Sequence, residues 1–571
     1  MFDESSGMSF KELFSPLTNK KAIIWIIVIG FIVFGNMLFN DFVWDDKISI
    51  LFSTQARQVP ILQLFEPNLF NETYYRPVAA IYFTFFYSLF GSQTFFYHFF
   101  QLISHIITTC AVFFLYKKFL QNNIAFIISL VFLIHPINVE SVSYISSILN
   151  ILFVLSGALG ILLIFRKRTK LTTYFILCFL LLTALSIKES AILFFLMVTF
   201  LAILLKFKNK KYLFASLSGS AFIYFLIRFL VGKAFFGKTE IIQVPIMELS
   251  LTERVLQMPK IVFYYLKTFF FPKTLLIDQQ WIVKKINLPD FYLPLFIDIL
   301  FFATLSLIGL YIFRKKREIF ITYLFFAIWF VAGLLLHLQI IPLNMTVADR
   351  WFYFPLIGLL GLIGVWLQII KIIKNHKYTF LTIAVIVICA LSLRTIVRNS
   401  DWKDAISLYS HDLRAGGENY SIHINLGDEL MRLNRLDEAK EHFQKSVELS
   451  PGQSINWSNL GVIYALQGDT FTAKKYLLKA IKNNSSFYPA YEKYGFILLK
   501  DKKFIEARNF LKRTIKKYPE RPILYIFLAE AEYKSGNKSE ALQAAYKAVQ
   551  LDPSEYNRGI YNALKSNLPL D

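Results

Sequence analysis

Hydrophobic runs of about 18 or more residues recur through roughly the first 400 positions, broken by short polar loops, and then stop. Each run is long enough to cross a hydrocarbon layer of about 30 Å. The pattern predicts about 11 transmembrane helices, near 22–40, 95–116, 123–136, 143–165, 171–187, 190–206, 212–231, 292–313, 319–339, 351–371 and 379–397. The stretch 256–271 is aromatic but short, and Lys260 and Lys267 interrupt it. It predicts a helix lying in the membrane interface, as does the stretch after Arg76.

Polar residues between the runs alternate in kind. Lys117-Lys118, Arg166-Lys167-Arg168 with Lys170, Lys206 through Lys211, Arg314 through Arg317 and Lys371 through Lys377 are basic. The loops between them carry acids and paired charges instead. Basic loops mark the cytoplasmic side. The order predicts a cytoplasmic N-terminus, and an odd number of spans puts the C-terminus outside. The first run follows Lys20-Lys21 and ends Asn36-Met37-Leu38-Phe39-Asn40, with no small-x-small cleavage site, so it reads as an uncleaved signal anchor.

After Arg398 a different periodicity begins. Ala439, Ala473, Ala507 and Ala541 are 34 residues apart. Gly427, Gly461 and Gly495 keep the same period, with Ala529 next in register. Pro451, Pro519 and Pro553 follow it too, with Ser485 in the remaining place, and Leu426, Leu460, Tyr494 and Leu528 precede the small residues. This period with small residues is the tetratricopeptide signature. The small positions let two antiparallel helices approach, and the proline ends the second. One such pair cannot bury its apolar face alone, so the pairs stack. The fold class is therefore all-α: a polytopic membrane bundle, residues 1–398, followed by a helical solenoid, residues 399–571, with four repeats between 420 and 555. Such arrays hold a peptide or protein in their groove, or serve as a passive scaffold.

Composition adds little that this pattern leaves open. The chain has 571 residues, 56% hydrophobic and 17% aromatic, and a net charge of +22. Much of that charge flanks apolar runs, where anionic cytoplasmic lipids account for it, so nucleic-acid binding is not indicated. Cys110, Cys178 and Cys389 each sit inside an apolar run, which supports neither a disulfide framework nor a zinc site.

The candidate chemistry lies in the non-basic loops. Asp45 and Asp46 follow the first run. A carboxylate there can act as general base toward a hydroxyl or ligate a divalent metal, and an ordinary solvated loop is the plain alternative. His98 and His105 are seven apart on one helix face with Gln101 between them, which suggests a polar cavity. A single histidine in a span equally serves a helix–helix hydrogen bond. His135-Pro136 ends a span and Glu140 begins the next helix, so the proline frees backbone groups there. Lys188-Glu189 lies between two runs, and Asp349-Arg350 opens the tenth. Arg76, Lys188 and Arg350 are candidate phosphate clamps, since guanidinium binds phosphate bidentately. A structural ion pair explains each of them equally well.

Taken in order, Asn40-Asp41-Phe42-Val43-Trp44-Asp45-Asp46, Tyr75-Arg76-Pro77, His98 with His105, His135-Pro136 with Glu140, Lys188-Glu189, Ala348-Asp349-Arg350-Trp351 and the repeats resemble a family. It is the transmembrane and tetratricopeptide-repeat-containing protein O-mannosyltransferases and their bacterial relatives. These belong to the GT-C class of integral membrane glycosyltransferases. The resemblance implies a catalytic acid in the first outer loop, here Asp45 or Asp46. It implies a polyprenyl-phosphate sugar as donor and a protein hydroxyl as acceptor. Two departures stand out. Relatives carry a basic and an acidic residue after the His-Pro-x-x-x-Glu motif, where this chain reads Ser147-Ile148-Leu149-Asn150. Gln101 stands where an asparagine is usual.

The resulting expectation is a glycosyltransferase that moves mannose or another hexose to Ser/Thr hydroxyls of exported proteins on the non-cytoplasmic face. Asp45 or Asp46 is its base, and Arg76, Lys188 and Arg350 stabilise the phosphate. Glu140 and Glu189 orient those cations or the sugar, His98, His105 and His135 line the donor site, and neither metal nor cofactor is required. The partners are the lipid-linked donor, an exported acceptor, and membrane lipids. A lipid-linked glycan acceptor and a non-catalytic assembly factor are the rival readings. The abundance of Lys, Phe and Ile points to an AT-rich genome, and so to a bacterial inner membrane before the endoplasmic reticulum.

Overall fold

The computed structural model describes residues 17–47, 50, 75–166, 170–204, 206–207, 209–231, 244–370, 377–566 and 568. The basic residues Lys167, Arg168, Lys208, Lys371 and Lys374 lie outside them. The chain divides into two compact units, Met1–Ala415 and Gly416–Asp571. The helix Ala405–Arg414 thus stays with the first unit. Both units are helical, and the pairing of Gln279 with Val347 is an isolated bridge.

Among the described residues, eight helices of the first unit are long and apolar enough to cross a membrane: Asn19–Phe39, Thr94–Tyr116, Ile145–Ile164, Lys210–Leu230, Leu288–Lys315, Arg317–Leu335, Asp349–Ile369 and Leu381–Asp401. A ninth forms if Asn122–Ile134 and Pro136–Ser143, bent by 49° at the intervening His135, count as one broken span. The two further spans expected at 171–187 and 190–206 correspond to Leu171–Ile187 and Glu189–Leu204, which are shorter. The extended Lys188 backbone breaks what would otherwise be one apolar run. Helix Pro77–Phe90 is likewise short and apolar.

The helix Leu251–Phe270 covers the stretch 256–271, expected to lie in the interface, but for its last residue. It opens with a capping box in which Ser250 and Glu253 satisfy each other's backbone N–H. Its buried side includes Gln257, Ile261, Val262 and Tyr265.

Close approaches fix the bundle. A Cβ on Gly358 would lie 2.4 Å from the backbone N of Phe330, and one on Gly361 would meet the Phe326 ring at 2.2 Å. The Arg317–Leu335 and Tyr353–Ile369 helices therefore touch backbone to side chain, and Trp329 Nε1 donates to the Phe354 carbonyl at 3.0 Å. The first and last spans are stitched by amides. Asn36 donates to Ile396 O at 2.9 Å, and Asn399 donates to Val33 O at 3.0 Å.

The two ends of the bundle differ in kind. At one, Lys117 donates to Asn19, the Gln121 N–H donates to Gln368 Oε1 at 3.1 Å, and the Lys118 ammonium lies 5.8 Å over the Phe165 ring. Loops expected to be cytoplasmic thus share that end. The polar motifs meet at the other.

The second unit contains the expected helix pairs: Tyr420–Arg432 with Leu436–Leu449, Ser454–Leu466 with Thr470–Asn483, Tyr488–Lys500 with Phe504–Lys517, and Pro522–Lys534 with Lys538–Leu551. Glu555–Lys565 follows them. Ala439, Ala473, Ala507 and Ala541 are wholly buried. A Cβ on Gly427, Gly461 or Gly495 would come within 2.7, 3.0 and 2.9 Å of Phe443, Leu477 and Leu511, which explains the small residue at that register.

Candidate functional site

Trp44 adopts a positive φ of 51°, a conformation that costs a bulky residue about 1–3 kcal/mol. The turn it makes sends the two following carboxylates different ways. Asp46 is wholly buried. Its Oδ1 accepts from the N–H and the hydroxyl of Ser146 at 2.7 and 2.6 Å, and its Oδ2 accepts from the Val43 N–H at 3.4 Å. Burial outweighs these bonds and pushes its pKa up to about 7. Asp46 therefore staples the first loop to the Tyr144–Ser147 segment.

Asp45 is exposed. Its Oδ2 accepts from the Tyr144 hydroxyl at 3.0 Å. Surrounding protein raises its pKa, while the Tyr144 hydrogen bond and the Arg350 charge oppose the rise. Asp45 is thus accessible to solvent yet flanked by protein, at the edge of an aromatic recess. The walls are aromatic: Tyr144 stacks between Trp44, at 5.4 Å, and Trp402, at 5.7 Å. The Arg350 guanidinium lies 5.3 Å over Trp44 and 5.9 Å over Trp351.

Four cations stand near this recess. Arg350 pairs with buried Glu140, whose Oε2 also accepts the Arg350 N–H at 2.8 Å. Arg76 donates Nε and Nη2 to Glu189 Oε2 at 3.0 and 2.9 Å. Lys188 turns away from its neighbour Glu189 and donates to Asn150 Oδ1 at 2.5 Å. Asn150 thus fills the place of the acidic residue whose absence the sequence shows, as a neutral amide. Burial, with help from Arg76 and Arg350, lowers the Lys188 pKa to about 7.

Sequence reasoning missed the fourth cation. Arg228 is wholly buried, 3.6 Å from Glu189 Oε1, and its Nη1 donates to the Tyr224 hydroxyl at 3.1 Å. Its signal was a lone arginine in the apolar run 212–231. His337 was missed as well. It stacks on Trp351 at 5.2 Å and 16°, and burial, with the charges of Lys188 and Arg350, lowers its pKa to about 3.

The three expected donor-site histidines are buried, and two of them, His105 and His135, bond within the bundle. His105 bonds Tyr353 Oη at 2.8 Å and Leu133 O at 2.9 Å, and its ring meets Phe34 edge-on at 5.4 Å. His135 bonds Phe269 O at 3.0 Å, accepts from the Ile137 N–H, and stacks on Phe269. His98 is wholly buried beside the Asn40–Asp41 backbone. Between His98 and His105 the helix face is buried. Gln101 there donates to the Ser141 and Tyr144 carbonyls at 2.9 and 2.7 Å, which holds the segment carrying Tyr144. Asp349, next to Arg350, is buried and accepts from the Tyr264 hydroxyl.

In the second unit, Asp428, Met431, Arg432, Asn459, Val462 and Lys493 line a recess of about 270 Å³. They come from the first helices of three successive repeats. The Lys493 ammonium lies 3.4 Å from both Ser458 Oγ and Asn459 Oδ1.

Comparison with known proteins agrees with this division. Tetratricopeptide-repeat models match residues 420–453, 456–487 and 497–556. The chain is similar to a protein O-mannosyl-transferase of Caenorhabditis elegans, 25% identical over 75% of this chain and 63% of that one. It is also similar to a protein O-mannosyl-transferase of Homo sapiens, 22% identical over 94% of this chain and 64% of that one. The chain thus spans a little under two thirds of these relatives' length. The resemblance read from the motifs extends to these relatives. Among solved structures, the chain is similar to MamA of Desulfovibrio magneticus RS-1, with 20% identity over 26% of this chain and 84% of that one, at a TM-score of 0.24.

Proposed function

We propose that this membrane protein transfers a mannose or another hexose from a polyprenyl-phosphate carrier to Ser/Thr hydroxyls of exported proteins. The observation that carries the reading is Asp45: an exposed carboxylate in an aromatic recess, bonded by Tyr144 and flanked by Arg350. The names of the similar proteins and the repeat unit support the reaction class and a protein acceptor.

In this mechanism Asp45, rather than Asp46, takes the proton from the acceptor hydroxyl. The hydroxyl oxygen attacks C1 of the sugar, the C1–O bond to phosphate breaks, and polyprenyl phosphate leaves with the electron pair. One displacement inverts the anomeric centre. The leaving phosphate is already ionised, so it needs no general acid, and Arg76, Lys188 and Arg350 stabilise its charge in place of a metal. Trp44, Tyr144 and Trp351 suit the apolar face of a hexose ring. Glu140 and Glu189 hold the arginines. The recess end is the non-cytoplasmic face, since basic loops gather at the other end, and a bacterial inner membrane is the proposed setting. The repeats present the acceptor.

The test is intact-mass analysis of exported proteins from cells carrying the wild type, Asp45→Asn or Asp46→Asn at matched expression. Hexose-sized masses on defined Ser/Thr peptides that vanish with Asp45→Asn support the reading. General-base loss predicts a rate decrease of about 10²–10⁴-fold. Protein masses that stay unchanged while membrane glycolipids lose a hexose would move the acceptor to a lipid-linked glycan. Unchanged proteins and glycolipids would leave an assembly role.

A further inference from the structure

The segment 399–403, where the last span gives way to the helix Ala405–Arg414, is bonded to the first loop. The Lys403 carbonyl accepts from the Asp41 N–H at 2.8 Å, and the Asn399 carbonyl accepts from Asn40 Nδ2 at 3.1 Å. Trp402 lies between these two points and is wholly buried. It stacks on Tyr144 at 5.7 Å and 29°, and Trp44 stacks on the same ring at 5.4 Å and 21°. Trp44 is the chain neighbour of Asp45 and shares its loop. Trp402 comes from the other end of the membrane unit's sequence, so it supplies a separately anchored side of the stack.

Packing and charge place this indole, not a hydrogen bond. Among the described residues its N–H has no hydrogen-bond partner, although a buried indole usually finds one. A phenyl ring would fill space there without stranding a donor. What the indole adds is the best aromatic face for a cation, and the Arg398 guanidinium lies 5.7 Å over it. Arg398 is itself buried, with Asp401 at 3.3 Å, Asp412 at 3.8 Å and His411 Nδ1 at 3.0 Å. Asp412 Oδ2 also accepts the Ile277 N–H at 2.7 Å. The last span, the helix Ala405–Arg414 and the loop that carries Ile277 are thus tied together behind Trp402.

A tyrosine hydroxyl is aimed by the torsions that turn its ring. Gln101 holds the Tyr144 carbonyl, while the two indoles flank the ring. We infer that Trp402 is a positioning residue for Asp45, holding the Tyr144 ring at the angle that keeps its hydroxyl on Asp45 Oδ2. The catalytic importance of this contact rests on Asp45 as the base proposed above. Without the Trp402 face the ring gains room to swing off Trp44, and the hydroxyl leaves the carboxylate. Asp45 then keeps its proton to higher pH, since that bond favours the ionised form. Arg350 and Asp46, the other charged groups beside Asp45, are the same in such a variant.

The experiment titrates Asp45 in the purified full-length chain in lipid nanodiscs by infrared difference spectroscopy, reading the protonated-carboxyl band that Asp45→Asn removes. It needs no substrate. Trp402→Leu should raise the midpoint by about 0.5–1 pH unit, the order set by loss of a hydrogen bond to a charged group, and Tyr144→Phe should raise it at least as far. The double variant should match Tyr144→Phe alone. Trp402→Phe keeps an aromatic face and should stay closer to the wild type than Trp402→Leu. Trp402→Met fills more of the space without such a face; it should behave as Trp402→Leu does, and covers the case in which that variant does not fold. A midpoint that Trp402→Leu and Trp402→Met leave in place would overturn the inference. So would a Trp402→Leu shift that persists in full on the Tyr144→Phe background, which marks a general loosening of the loop. The acidic limb of kcat/KM, measured on the same proteins, separates this inference from the reaction. A midpoint that moves while the limb stays keeps Trp402 as the support of Tyr144 and removes Asp45 as the base.

Discussion

The Tyr144 hydroxyl donates to Asp45 Oδ2 at 3.0 Å, and this bond stabilises the ionised carboxylate. Without it the carboxyl holds its proton to higher pH. In Tyr144→Phe the acidic limb of the pH–rate profile should therefore move upward, with a smaller loss at alkaline pH than at neutral pH. The check is kcat/KM against pH for both proteins. A limb that stays in place would separate Tyr144 from the titration of the base.

Asp46 makes a different prediction, about stability. Its folded pKa is raised from 3.8 to about 7 by burial, so the folded state holds more protons than the unfolded state between those values. Stability from this group is full at acid pH and declines as pH rises through about 7. The melting temperature of the wild type minus that of Asp46→Asn should fall between pH 5 and pH 8. A difference that rises over that range would contradict the assignment.

Glu140 and Arg350 form a buried pair, so removing one partner strands the other. Glu140→Ala and Arg350→Ala should each cost about 3–5 kcal/mol, and the double variant less than their sum. Unfolding of the four proteins in one detergent gives the coupling energy. Simple additivity would show that the pair is not coupled.

Positive side chains replace a metal in the proposed transfer, so chelation should leave the rate unchanged within about twofold. The reconstituted protein, assayed before and after EDTA treatment and dialysis, tests this. A loss that added Mg²⁺ or Mn²⁺ restores would reassign Asp45 as a ligand.

Periodicity carried most of the architecture. Most of the spans and the repeat register follow from spacing, because burying apolar surface is their common cause. Two expected spans are shorter helices that meet at the charged pair Lys188-Glu189, where the extended Lys188 backbone ends the first. The site was legible in its residues but not in their partners. Asp45 and Asp46 are adjacent in sequence, yet the positive φ of Trp44 sends one outward and one inward, and nothing in residue type signals that turn. Asn150 looked like a missing charge because an amide and a carboxylate accept from Lys188 in the same way. His105 and His135 suggested chemistry, but tertiary contacts with Tyr353 and Phe269 decide their use. Arg228 was visible as an arginine in an apolar run, while its link to Glu189 spans a long separation that local pattern does not reach.

The proposed clamp of Arg76, Lys188 and Arg350 also bears on turnover. On the proposed reaction the donor is a phosphodiester with one negative charge, while the spent carrier is a phosphomonoester with about −1.5 to −2 at neutral pH. Cations placed to stabilise the leaving phosphate hold the doubly charged product more tightly than the singly charged donor. Chemistry is then fast and departure slow, so the spent carrier competes with fresh donor. Rapid-quench kinetics should show a burst of one product per protein ahead of a slower steady rate, and a linear time course from the first turnover would place the slow step earlier.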